Sequence, residues 1–471
     1  MPGKLLLLTF CWAWKCAFIF AQDVQPIPLD TLGKKFVTEF LFEGNKVTQE
    51  RIILREMTFA AGDSLFWSNL RAGMAQSKNN LMNTRLFNTV EMEAIQINDH
   101  QVIVLITMQE RWYLYPVPIL EIAQTNFNTW WETRELRWLN YGAAVTHSNV
   151  GGMNQRLSLM LRFGYTKRFS ASYTLPNLNR KQTLGLNLSA GYFENNEIVF
   201  NTSDNERQFY NNAEEKARRY YQYKVGLTYR ENIFTSHLLE LGYFTANVND
   251  TVPIIQPEYF TGGEASTQFL RLIYALDYDT RDYKKYPLKG LLLSGVLQQD
   301  GLGLVNKEGM SLFTTTMTYR HHHKLGERTY LAHAITGKVN WGDPPYYLTQ
   351  GLGYNNFVRG YEFFVVDGTR YGLFASNFKV AILPTRAISI PFIPTSKFSE
   401  TFIAIYGNIF FDAGYVYGQE FENQNSLVNE YMYSVGAGLD VVTYYDKVLR
   451  VEGSLNGLGR FGVFVHFSQA F

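Results

Sequence analysis

The sequence predicts a mainly β protein: a 16-stranded antiparallel transmembrane β-barrel preceded by one small α+β domain. Three observations carry this expectation. After about residue 112, apolar and polar side chains alternate with period two, as in strands with two unlike faces. The 471 residues include 31 Tyr and 35 Phe, enough for aromatic girdles at two membrane interfaces. Beyond the N-terminus no stretch reaches about 18 consecutive apolar residues, so a spanning helix is not expected and a closed barrel is the membrane-compatible alternative.

The first 22 residues read as a secretory signal. Lys4 gives a positive start, residues 5–14 are apolar, and Ala17 to Ala21 offers small residues for cleavage near Ala21 or Gln22. Cys16 raises a lipoprotein reading, but Ala13-Trp14-Lys15 before it is too bulky and charged for a lipobox. Cys11 and Cys16 are the only cysteines, so a chain cleaved here has no disulfide framework and no Cys-ligated metal. A net charge of +1 gives no footprint for a nucleic-acid partner. The expected organisation is signal peptide 1–22, linker 23–35, α+β domain 36–111 and barrel 112–471.

In the α+β domain, residues 36–42 read as a strand and Gly44-Asn45 as a turn. Thr48 is placed to N-cap a helix through Arg55. Gly62-Asp63 breaks the chain before a second helix with Phe66, Leu70, Met74 and Leu81 on one face. Residues 87–95 and 101–108 follow as strands around an Asn98-Asp99 turn, giving the order β-α-α-β-β.

The barrel expectation comes from repeated two-faced segments. Leu184, Leu186, Leu188, Ala190 and Tyr192 oppose Thr183, Gly185, Asn187, Ser189 and Gly191, and residues 156–165 and 221–230 behave alike. Sixteen such segments fall at 116–126, 138–148, 154–165, 168–176, 182–193, 217–231, 235–248, 266–281, 287–300, 307–323, 328–341, 369–383, 401–417, 430–444, 447–456 and 461–471. Long outer connections alternate with short inner turns, 384–400 excepted, as in a barrel whose chain enters from the periplasm.

The front module resembles a POTRA domain through Gly44-Asn45, Thr48, Ile53, Arg55-Glu56, Gly62-Asp63 and residues 81–90, in that order. With the barrel, the chain resembles the BamA/TamA-type outer-membrane protein assembly superfamily over nearly its whole mature length. Val358-Arg359-Gly360-Tyr361, in the sixth outer loop, looks like that family's loop-six signature. The resemblance implies that the loop tucks into the barrel and that Arg359 meets an inward acid on the wall. Alternation puts Asn408, Asp412 and Gly414 inward, so Asp412 is the expected partner. The family usually adds a second inward acid on the twelfth strand; here Asn377 and Lys379 point inward and Lys379 takes that place. Docking is then expected to use Asp412 alone or to borrow Glu362 or Asp367. Asp279-Thr280-Arg281-Asp282 resembles a turn common between strands eight and nine of these barrels. Phe461, Val463, Val465 and Phe467 share one face of a last strand ending at Phe471, similar to a C-terminal strand signal.

His321-His322-His323 does not read as a metal site, because neighbouring strand residues point to opposite faces and no third ligand is evident nearby. No nucleophile elbow, phosphate-binding glycine loop or paired carboxylates emerge, so neither an enzyme nor a cofactor is expected. The resemblance implies an assembly or insertion factor acting on unfolded client proteins in the lipid bilayer of the bacterial outer membrane, with accessory lipoproteins or periplasmic chaperones as further partners. A pore secreting one dedicated partner and a passive structural barrel remain the alternatives.

Overall fold

The computed structural model describes residues 33–122, 139–212, 215–305, 309–349, 351–353, 356–389, 400–443 and 447–468. The expected signal peptide, most of the linker and Phe471 lie outside the described residues.

The N-terminal domain runs β1 (Lys34–Glu43), α1 (Glu50–Leu54), β2 (Ser64–Phe66), α2 (Trp67–Asn83), β3 (Phe87–Gln96) and β4 (Gln101–Glu110). Its sheet order is β2-β1-β4-β3, with β1 and β4 parallel. Alternation in β4 buries Val102, Val104, Ile106 and Met108 against Ile52, Ile53, Leu70 and Leu81 from the helices. Two expectations are corrected. Phe66 is not helical: residues 64–66 pair antiparallel with β1, adding a strand between the helices. Thr48 does not cap α1, whose N-cap is Gln49 without a side-chain bond. Its buried hydroxyl instead bonds Tyr113 Oη at 2.9 Å and accepts from Asn149 Nδ2 at 3.0 Å.

The rest forms one 16-stranded antiparallel sheet. Its strands begin with β5 (Leu114–Ile122), β6 (Leu139–Val150), β7 (Gln155–Gly164), β8 (Thr166–Leu175) and β9 (Leu184–Asn195). After a separate hairpin, β10 (Glu197–Ser203) and β11 (Glu206–Asn211), come β12 (Arg218–Arg230), β13 (Thr235–Val248), β14 (Ser266–Asp279), β15 (Gly290–Asp300) and β16 (Leu312–Lys324). The last six are β17 (Thr329–Trp341), β18 (Arg370–Ser389), β19 (Glu400–Tyr417), β20 (Tyr431–Thr443), β21 (Lys447–Asn456) and β22 (Phe461–Ser468). All sixteen expected barrel strands are present, with ends shifted by a few residues. β10–β11 was missed because it lies inside a polar loop.

Burial inverts that of a soluble sandwich. Leu159, Leu227, Leu241, Ile335, Ile409 and Val463 face outward and exposed, whereas Asn340, Lys379, Asp412, Asp440 and Glu452 are buried inside. An apolar exterior around a polar interior is stable only with hydrocarbon outside. Among the described residues no helix is long and apolar enough to cross a membrane.

Both ends of the barrel are covered. At the end away from the N-terminal domain, the β10–β11 hairpin ties loops together. Asn205 N donates to Asn425 Oδ1 at 2.8 Å, Val365 N to Asn205 O at 2.8 Å, and Thr202 Oγ1 to Asp367 Oδ2 at 2.5 Å. At the other end the N-terminal domain docks on the rim turns. Arg230 clamps Glu56 through two bonds of 2.5 and 2.7 Å, and Asn83 Nδ2 donates to Asp282 O at 2.9 Å. Gly152, at φ +70°, lies so close to Val47 that a Cβ there would stand 2.0 Å from its carbonyl oxygen. Arg55 lies beside this clamp, where burial and the Arg230 guanidinium lower its pKa to about 10.

Glu56→Gln keeps shape but removes the charge from a clamp whose carboxylate is 5% exposed. A loss of about 1.5–3 kcal/mol is expected for a charged hydrogen bond. Limited proteolysis between domain and barrel should accelerate by roughly ten-fold, the factor that 1.4 kcal/mol buys; an unchanged cleavage rate contradicts the clamp.

Candidate functional site

The sixth outer loop descends into the barrel, where its tip is packed rather than exposed. Val358 and Tyr361 are buried with Leu352, Val366, Tyr371, Val416, Leu427, Val428 and Met432. Two glycines allow this close seat. Gly360 adopts φ +85°, and a Cβ there would stand 3.0 Å from Ser454 Oγ. Inward Gly414 leaves room for the loop, since its Cβ would stand 2.6 Å from Val358 Cγ2. Asn456 Nδ2 donates to Gly360 O at 2.7 Å.

Arg359, only 6% exposed, is the centre of the arrangement. Nε and Nη2 donate to Asp412 Oδ2 and Oδ1 at 2.7 and 2.6 Å, a bidentate fork, and the Arg359 backbone N–H adds a third bond at 3.2 Å. Nη1 donates to Asn377 Oδ1 and to Glu452 Oε1, both at 3.0 Å. The guanidinium plane lies 3.7 Å from the centre of the Phe410 ring. A buried guanidinium without such partners would cost several kcal/mol.

The second carboxylate is therefore neither Glu362 nor Asp367. Glu362 sits 3.6 Å from His466 Nε2, and Asp367 accepts from Thr202. Glu452, from β21, supplies it and also reaches Arg450 at 3.5 Å. Arg450 forks onto Asp440 at 2.7 and 3.1 Å, and Tyr286 Oη donates to Asp440 at 2.7 Å. Lys379 is fully buried, its ammonium 4.4 Å from the Tyr286 ring centre. Two guanidinium groups (Arg359, Arg450) thus meet three carboxylates (Asp412, Glu452, Asp440) in one lumenal band, with Lys379 buried in the same interior. Arg450 and Glu452 share one face of β21, as alternation could have shown, but their partners come from β20 and the loop, which spacing does not reveal.

The same loop is fastened to the last strand. Phe357 stacks on His466 at 5.9 Å, Phe363 meets Phe464 at 5.6 Å, and Arg460 lies over Phe364 at 5.3 Å. Phe461, Val463, Val465 and Phe467 occupy the opposite, exposed face of β22.

The other singled-out residues lie apart. Gly44, at φ +94°, is pressed against Met108 O, with Asn45 next to it bonding Thr48 O at 3.3 Å. Asp279 forks onto Arg281 at 2.8 and 3.0 Å, and the Asp282 carboxylate accepts from the Tyr283, Leu288 and Lys289 amides, so that turn holds itself. His321 and His323 face outward while His322 is buried inward. His333, directly across from His321, is a third nearby imidazole that sequence reasoning missed. Among the described residues no three such groups are disposed to hold a metal ion.

Comparison with known proteins places this geometry. No curated protein sequence matches the chain. Among solved structures, BamA from Haemophilus ducreyi lacking POTRA domains 1–3 is similar at 17% identity and a TM-score of 0.50, covering 92% of this chain and 84% of that one. CdiB from Escherichia coli is similar at 10% identity and a TM-score of 0.53, covering 92% of this chain and 74% of that one. At these identities the likeness shows the fold alone. The Omp85 superfamily domain matches residues 149–443, well over half of the sequence, and the chain accordingly belongs to the Omp85 superfamily of outer-membrane β-barrels.

Proposed function

We propose that this barrel assembles other outer-membrane proteins by presenting the open edge of its sheet as a template for client β-strands. One observation carries the reading. The described sheet runs from β22 to β5 through consecutive ladders, and among the described residues no ladder joins those two ends. An unpaired strand edge in hydrocarbon is costly, because no water is there to bond its amides and carbonyls. Such a seam favours any strand that completes it. Occupation of the lumen by loop six, with the loop cover outside and the domain below, favours a route along the wall over one through the pore.

In this reading the N-terminal domain is a POTRA domain that receives clients in the periplasm. Residues 1–22 are a removed signal, residues 23–35 a linker, and the Arg359–Asp412 fork is the device that holds loop six. No nucleotide or cofactor takes part; folding of the client supplies the drive. CdiB likeness of fold keeps a secretion pore as the rival reading. Depleting the protein separates the two: broad loss of outer-membrane proteins is expected. Loss of a single secreted protein instead, or no change in either, contradicts the proposal.

A further inference from the structure

A polar cavity lies in the lumen beneath loop six, on a part of the wall that the Arg359 fork does not use. Alternation builds that wall by turning one face of each strand inward. Thr316, Lys338 and Tyr371 are opposite one another across the β16–β17 and β17–β18 ladders. Arg271 is opposite Asp300 across β14–β15, and Gln298 shares the face of Asp300 two residues earlier. Loop six closes the space with Leu348, Gly351 and Asn356. Backbone bonds between Leu352 and Val366, at 2.9 and 2.8 Å, hold this part of the loop. The cavity measures about 330 Å³, at the lower end of the range for small-ligand pockets.

The lining offers more hydrogen-bonding capacity than the protein itself uses. Asp300 is fully buried and already engaged: Arg271 Nε pairs with its Oδ1, and Gln298 Nε2 donates to its Oδ2 at 2.6 Å. Asn356 Nδ2 donates to Tyr371 Oη at 3.0 Å. Among the described residues, the two terminal amino groups of Arg271, Gln298 Oε1, Asn356 Oδ1 and the Thr316 hydroxyl make no hydrogen bond. Lys338 brings an ammonium to the same wall, so the lining sets two cations against one carboxylate.

These groups sort into two kinds. The amino groups of a guanidinium form a fork that matches a carboxylate or a phosphate. Amide oxygens only accept, and therefore suit hydroxyl donors. An oxyanion carried on a ring of hydroxyls satisfies both kinds at once. We propose that the cavity binds one acidic monosaccharide. Its carboxylate or phosphate lies between Arg271 and Lys338, and its hydroxyls meet Gln298, Thr316 and Asn356. A roofed space of this size holds one ring, so the ligand is a free sugar acid or sugar phosphate rather than a chain carried by a lipid. Asn356 belongs to loop six, so the bound sugar also steadies the seated loop. Strand templating at the seam does not depend on this site.

The test uses the full mature chain in lipid nanodiscs, with binding followed by titration calorimetry. The probes are D-glucuronate, D-glucose 6-phosphate, neutral D-glucose and acetate. One of the two acidic sugars is expected to bind at one per barrel. Its affinity should exceed that of glucose and of acetate by at least about ten-fold, as a single charge-assisted hydrogen bond implies. Lys338→Gln should weaken it by roughly ten-fold and Thr316→Val by about five-fold. At about 100 times its dissociation constant, the sugar should slow protease cleavage within residues 351–368 by at least roughly ten-fold. Failure of both acidic sugars to bind overturns the proposal, as does glucose binding equally well. Unaltered affinity in variants that still run as folded species on semi-native gels overturns it too. If Lys338→Gln does not fold, Thr316→Val decides. Binding that leaves loop cleavage unchanged puts the sugar elsewhere and contradicts the site.

Discussion

Arg359→Ala is expected to unseat loop six and lower the heat resistance of the folded barrel. The substitution leaves Asp412, 2% exposed, and Glu452, 2% exposed, facing each other without their shared cation. Removing one partner of a buried ion pair costs about 3–5 kcal/mol, because the remaining charge keeps its desolvation penalty. The cation–π contact over Phe410 is lost as well. Asp412→Ala should cost a similar amount, since it removes the bidentate fork and the bond from the Arg359 backbone N–H. The readout is the temperature at which the compact band on semi-native gels converts to the unfolded one. Because the loop also packs on β22, protease cleavage within residues 351–368 should rise in parallel. Wild-type conversion temperatures for both variants would exclude the fork as a fastening.

Glu452→Ala is expected to be the next most damaging change. Glu452 serves two guanidinium groups, at 3.0 Å from Arg359 and 3.5 Å from Arg450. Without it Arg359 and Arg450 each lose a carboxylate while still buried, and about 2–5 kcal/mol should be lost. The position also offers a specific rescue. Asn377 Oδ1 already accepts from Arg359 Nη1 at 3.0 Å. Asn377→Asp in the Glu452→Ala background returns a carboxylate to the same nitrogen, from β18. Recovery of at least half of the lost heat resistance is expected. Failure of Asn377→Asp to improve on Glu452→Ala would mean that Glu452 acts by filling space rather than by charge.

Why Asp412 was legible and Glu452 was not follows from the range of each signal. Period-two alternation decides which face a residue takes, and it assigned Asn377, Lys379, Asp412 and Gly414 to the interior correctly. It cannot decide which strand lies opposite the loop. Arg359 and Glu452 are 93 residues apart and meet only because the barrel curves and the loop descends. Lys379 in the place of an acid marked a departure, but where the compensating acid sits is a three-dimensional matter.

In the N-terminal domain the losses were local. Residues 64–66 form a strand too short to show alternation, and Phe66 happens to continue the apolar spacing of α2. Thr48 had the chemistry of a cap but is drawn into the junction with Tyr113 and Asn149, a tertiary demand that outweighs the local one.

The central claim is that the β5–β22 seam is where clients are joined. It is tested most directly by tethering the seam in cells. Cys11 and Cys16 are the only cysteines of the chain, so single cysteines introduced along β5 and β22 can be bridged by a short bis-maleimide with little background. With the bridge formed and verified on denaturing gels, newly made outer-membrane proteins should fail to reach their folded, heat-modifiable forms, while either cysteine alone has no effect. A bridged barrel that still supports a normal outer-membrane protein profile would contradict the account.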